Sequence, residues 1–111
     1  MRILGNLERD VLLAIHRQGE KAYAVSIKQE IDERIGKDTN IGAIYVTTDR
    51  LEKKGYVTSR LGDPTPERGG KPKRLYRVSE PGIAALSAAY EADKRVWTNT
   101  GWTEADQDQA R

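Results

Sequence analysis

The chain has 111 residues, no cysteine and a formal net charge of +2, with a mean hydropathy of −0.74. Such a length fits one domain with a thin core, to which a partner subunit would add burial. No apolar run approaches the ~20 residues of a membrane span and no signal-peptide pattern follows Met1, so no membrane association is expected. Disulfides and thiolate metal sites are excluded, and the expected location is the cytoplasm.

In chain order, "NLERDVLLAIHRQGE" reads as a first helix, with Asn6 as N-cap, Glu8 and Asp10 at the positive end and Gly19 as the stop. Leu7, Val11, Leu12 and Ile15 form one apolar stripe that Leu13 widens, which predicts burial on more than one side. Leu12 is therefore a candidate for a subunit interface. A second helix follows in "AYAVSIKQEIDERIG", where Ile27, Ile31 and Ile35 recur every fourth residue, Tyr23 and Ala24 extend the stripe and Gly36 ends it. The polar stop "GKDTN" leads to a third helix, capped by Asn40 and closed by Gly55. Ile41, Ile44, Tyr45, Thr48 and Leu51 are expected on its inner face.

The pattern then changes period. "YVTSRL" and "KRLYRVS" both alternate, and the breaker-rich "GDPTPERGGKP" between them predicts a β-hairpin with a long tip. Ser79 is the expected N-cap of a last helix with Pro81 in its first turn. One stripe of that helix carries Ile83, Leu86, Tyr90 and Trp97, and a second carries Ala85, Ala89, Ala92 and Val96. Either this is simply an alanine-rich helix former, or a second subunit covers the face that one small domain leaves open; the second reading is favoured. After Asn99 a polar, acidic, mobile tail is expected. The chain thus divides into 1–78, the three helices and the hairpin; 79–98, a dimerisation helix; and 99–111, the tail.

Charge is unevenly spread. Between Arg50 and Arg77 stand nine basic and three acidic residues, a block that points to a polyanionic partner, with a solvated charged loop as the bland alternative. Helix–helix–helix–hairpin is the order of a winged helix-turn-helix, so the fold class is mostly α with a β-hairpin wing. In that architecture the third helix enters the DNA major groove. Ala43, Thr47, Arg50 and Lys54, spaced four, three and four, would share its outward face. Gly42 and Ala43 would let the backbone approach bases, Thr47 would meet a base edge or thymine methyl, and Arg50 and Lys54 would pair with guanine or phosphate.

Three segments resemble the PadR family of bacterial transcriptional regulators, over Leu7 to Tyr90. "AYAVSIKQEI" is similar to the family's His-Gly-Tyr-rich start of the second helix. "GAIYVTTDRLEKKGYV" is similar to its Thr-Leu-Tyr…Leu-x-Arg-Leu-Glu-x-x-Gly segment, and "GGKPKRLYRVSEPGIAAL" to its Gly-Gly-Arg-x-Arg-x-Tyr-Tyr-x-Leu-Thr-x-x-Gly wing. The resemblance implies a homodimeric repressor of the small subgroup with a short C-terminal helix. It implies a double-stranded operator as partner and relief by a small phenolic or planar hydrophobic effector. The sequence departs from the pattern at Ala22, where the family favours Gly; at Thr48, whose hydroxyl can bond the Ile44 carbonyl; and at Asp49, which can pair with Lys53.

Beside that resemblance, Tyr23 at a helix start is a phosphate candidate, and Tyr45 and Tyr76 are expected to pack the hinge between third helix and wing. Lys71, Lys73 and Arg74 supply sequence-blind attraction to the backbone. With Asn40, the DNA-binding candidates are thus Tyr23, Asn40, Gly42, Ala43, Tyr45, Thr47, Arg50, Lys54, Lys71, Lys73 and Arg74. The dimerisation candidates are Leu12, Ile83, Leu86, Tyr90 and Trp97. Trp97 and Trp102 are the candidate effector-lining pair, with anchoring of the last helix as the other role of Trp97.

An enzyme is not expected. His16 is the only histidine, no G-x-S-x-G exists, and Thr65 and Pro72 stand where a phosphate loop needs Gly and Ser or Thr. No metal or cofactor is implied. The rival reading is a winged helix used for protein contacts alone; RNA is disfavoured because A-form major grooves do not admit a helix.

Overall fold

Helix α1 spans Asn6–Gln18 in the computed structural model, which describes residues 4–63 and 71–111. Its N-cap is Gly5 rather than Asn6. The Gly5 N–H donates to Glu8 Oε1 at 3.0 Å, so a carboxylate inside the first turn closes the helix start. Val11, Leu12, Ala14 and Ile15 are buried. Leu12 lies fully inside this chain's own core and offers nothing to a second subunit, which corrects its expected interface role.

A 3₁₀ turn, Gly19–Lys21, leads to α2, Ala24–Ile35. Gln18 fastens the two helices, because Ser26 Oγ accepts from the Tyr23 N–H at 3.0 Å and donates to Gln18 Oε1 at 2.6 Å. Gly36 ends α2 in the left-handed region (φ 66°) with its N–H on Asp32 O. Ile27 and Ile31 are buried, but Ile35 is exposed, contrary to the expected stripe, since it sits in the last turn beyond the packed faces of its neighbours. With Leu13 it lines a groove of about 340 Å³ between α1 and α2.

The turn into α3, Ile41–Lys53, is held by side chains. Asp32 accepts the Thr39 N–H at 2.8 Å, and Lys28 bridges Asp32 and Asp38. The Lys28 ammonium first, and the Thr39 N–H second, hold the Asp32 carboxyl down at about 2. Asn40 caps α3 as expected, its Oδ1 accepting from the Gly42 N–H at 2.7 Å. Ile44, Thr48 and Leu51 enter the core against α1 and α2. The buried Thr48 hydroxyl is satisfied by the Tyr45 carbonyl at 3.0 Å, rather than by Ile44.

Strands β1, Val57–Leu61, and β2, Arg74–Val78, pair antiparallel with Val57 opposite Val78 and Leu61 opposite Arg74. Part of the expected hairpin tip, residues 64–70, lies outside the described residues. Ala22 joins the hairpin as a single bridge, its carbonyl accepting the Tyr76 N–H at 2.8 Å.

Helix α4, Glu80–Trp97, is capped by Ser79 as expected. Its start is pressed onto the α3–β1 turn: the Ser79 N–H donates to Tyr56 O at 3.0 Å, and a Cβ on Gly82 would stand 2.2 Å from that same oxygen. Leu86 packs on the core, but Ile83, Tyr90, Val96 and Trp97 are exposed. Asn99 (φ 60°) and Gly101 (φ 80°) then turn the chain. The segment expected as a mobile acidic tail contains a further short helix, α5, Glu104–Gln109, opened by a Thr103–Asp106 capping box.

Candidate nucleic-acid interface

Of the sequence-predicted residues, Tyr23, Tyr45, Lys73 and Arg74 are brought together. They line a cleft of about 260 Å³ between the start of α2, the middle of α3 and the wing, floored by the buried Tyr76. Tyr23 is the N-cap residue of α2, which places it at the positive end of a helix. Lys73 Nζ lies 4.1 Å from the centre of the Tyr23 ring, a cation–π contact that seats the wing against α2. Arg74 reaches across the hairpin to Ser59 Oγ at 3.0 Å, and Ser59 in turn donates to Glu52 Oε2 at 2.7 Å, linking the wing to α3. Lys71 is exposed.

The rotation of α3 differs from expectation. Tyr45, placed inward from sequence, is 52% exposed, whereas Thr47, placed outward, is 4% exposed and donates its hydroxyl to the Ala43 carbonyl at 2.7 Å. That bond satisfies the only polar group of the side chain, so its methyl face can be buried at little cost. Lys54 also turns inward, pairing with Glu8 Oε2 of α1. Burial pushes the Glu8 carboxyl up, but Lys54, the Gly5 N–H and nearby Arg50 outweigh it and leave the group below its ordinary value. The row Ala43, Thr47, Arg50, Lys54 is thus the flank of α3 turned toward α1, and only Arg50 of its charged members stays exposed.

The outward face is instead Gly42, Tyr45, Val46, Asp49 and Lys53, all exposed. Asp49 and Lys53 pair at 3.0 Å, as their spacing implied. Val46 was missed. Its signal lay in the buried stripe: with the inward direction centred on Ile44, Thr48 and Leu51 alone, a 100° step per residue puts Gly42, Val46 and Lys53 opposite. Asn40 spends its side chain on the cap. Trp97 and Trp102 do meet, their ring centres 6.1 Å apart, on the exposed end of α4. Among the described residues no group of His, Cys, Asp and Glu could hold a metal ion, and no helix is long and apolar enough to cross a membrane.

Comparison with known proteins agrees with this architecture. The chain is similar in fold to a PadR-like transcriptional regulator from Bacillus cereus (20% identity, 83% of this chain and 84% of that one, TM-score 0.68). It is likewise similar to a PadR family transcription regulator from Clostridium difficile (16% identity, 83% and 91%, TM-score 0.69). The PadR of Bacillus subtilis, solved in complex with operator DNA, superposes with a TM-score of 0.63 at 20% identity over 74% of this chain, which spans only 45% of that longer protein. No curated protein matches the sequence. Residues 11–88 match the transcriptional regulator PadR-like family as a whole. With its three-helix unit, two-stranded wing and trailing helix, the chain belongs to the PadR-like family of transcriptional regulators, and so among regulators rather than enzymes.

Proposed function

We propose that the chain is a homodimeric, sequence-specific repressor acting in the cytoplasm, with α3 in the major groove and the wing on the backbone. The observation that carries this reading is the cleft in which Tyr45 of α3, the α2 N-terminus with Tyr23, and Lys73 and Arg74 of the wing converge. Such a face pairs a base-reading ridge with flanking cations, the arrangement a duplex requires. The likeness to a PadR solved with operator DNA supports it. The test is a salt titration on a duplex enriched from a random pool and on its scrambled counterpart. Preference for the enriched duplex, with affinity falling steeply with salt, is expected; equal affinity for both would reduce the protein to a non-specific binder or a protein-contact module.

A homodimer is supported by the extended shape of the chain and by the exposed apolar residues of α4. The radius of gyration is 16.5 Å, against about 13 Å for a compact chain of this length, and Ile83, Tyr90, Val96 and Trp97 stand exposed along α4. An effector site at Trp97 and Trp102 is supported by their contact, and it would quench tryptophan emission when a planar hydrophobic ligand binds. Absence of quenching across a varied panel would leave the pair as a structural anchor.

A further inference from the structure

We propose that Val46 is the specificity-determining residue of α3, reading the 5-methyl group of thymine. The inference rests on the proposed docking of α3 in the major groove and deepens it by naming the base chemistry read. Val46 is 57% exposed at the middle of the outward face. One turn before it Gly42 has no side chain, and one turn after it the Asp49 carboxylate is engaged by Lys53 at 3.0 Å. The centre of the ridge is therefore an apolar side chain between a bare backbone and an internally satisfied ion pair.

Base edges in the major groove present hydrogen-bond donors and acceptors with one exception, the thymine methyl. An apolar centre can gain from that group alone, and it leaves any polar edge it covers unpaired. The β-branched side chain also holds its methyls in a narrow set of rotamers, so a fixed position is presented without much ordering on binding. The cations lie at the rim: Arg50 on the α1 flank, and Lys71 and Lys73 on the wing side, where phosphates rather than bases would meet them. Apolar centre and basic rim together favour a duplex over a protein partner, whose apolar contact would leave these cations without anions.

The experiment uses the full chain. A duplex is enriched from a random pool, and each of its thymines is replaced singly by deoxyuridine, which lacks only the methyl. One thymine in each half-site is expected to lose about fourfold in affinity on replacement, the effect of one buried methyl. In Val46→Ala the same replacement should change affinity less than about twofold, the coupling expected of two groups that touch. Because Val46 is exposed, the variant should retain the wild-type melting curve. If no thymine is sensitive, or if deoxyuridine costs Val46→Ala as much as wild type, the assignment is overturned while DNA reading by α3 stands. If no sequence is enriched at all, the docking reading falls and takes this inference with it.

Discussion

Lys73 has two jobs that single substitutions can separate. Its ammonium faces the Tyr23 ring, and it lies on the face proposed to meet phosphates. Lys73→Ala is expected to weaken binding to specific and scrambled duplexes alike. It should also flatten the slope of log affinity against log salt by about 0.9 for each phosphate no longer neutralised, doubled in a symmetric dimer. Tyr23→Leu keeps the lysine charge but removes the cation–π interaction, as Lys73→Ala does, at a cost of about 0.5–1 kcal/mol at such a site. Denaturant titration of the two variants checks this. Thr47→Val provides the contrast: the side chain is buried and its hydroxyl serves only the helix backbone, so operator affinity should change less than about twofold. A tenfold loss would put the residue back among those that touch bases.

Two elements owe their positions to identifiable joints. The α2–α3 turn is clamped by Asp32, and the carboxyl is depressed to about 2, the Lys28 bond being the chief cause. A carboxyl held below its unfolded value of 3.8 contributes stability above that value and loses it as pH falls toward the folded one. Wild type should therefore melt higher than Asp32→Asn at neutral pH, and the difference should shrink between about pH 4 and pH 2. A difference that persists at pH 2 would mean the carboxylate charge is not what holds the turn. The second joint is the start of α4. Gly82→Ala would drive a Cβ into the Tyr56 carbonyl, and should cost about 1–3 kcal/mol in urea unfolding as α4 shifts off the α3–β1 turn.

At the scale of the whole molecule, the exposed stripe of α4 is the feature a single chain does not explain. Core packing uses Gly82 and Leu86, and beyond Leu86 the helix projects from the body, contributing to a longest dimension of 55 Å. A dimer in sedimentation at micromolar concentration is expected. Tyr90→Asp should raise the dimer dissociation constant by about tenfold or more, ~1.4 kcal/mol, without unfolding the monomer, because Tyr90 is exposed within the chain. Leu86→Asp would unfold the core as well and cannot make that distinction. A wild-type monomer under the same conditions would remove the dimer reading.

The sequence by itself determined what depends on neighbours a few residues away. Asn40 and Ser79 cap their helices because their side-chain oxygens reach N–H groups two or three residues on, and the change from helical to alternating period placed both strands of the wing. The family could be read for the same reason, since its motifs sit at those local boundaries. Even the Thr103–Asp106 box of α5 was written there, hidden in a segment judged by its polar composition. Tertiary structure decided which flank of α3 is buried. Tyr45 and Thr47 stand on opposite flanks of Ile44, and a hydrophobicity pattern favours burying the tyrosine. The threonine goes in because its hydroxyl is satisfied by its own helix, while the cleft beside the wing leaves the tyrosine exposed. Lys54 finds Glu8 across 46 residues and Lys73 of the wing finds Tyr23 at the start of α2. Gly82 is a glycine for the sake of a carbonyl in another turn. Such pairings arise only when elements pack, because no local spacing encodes which distant surface a flank will meet.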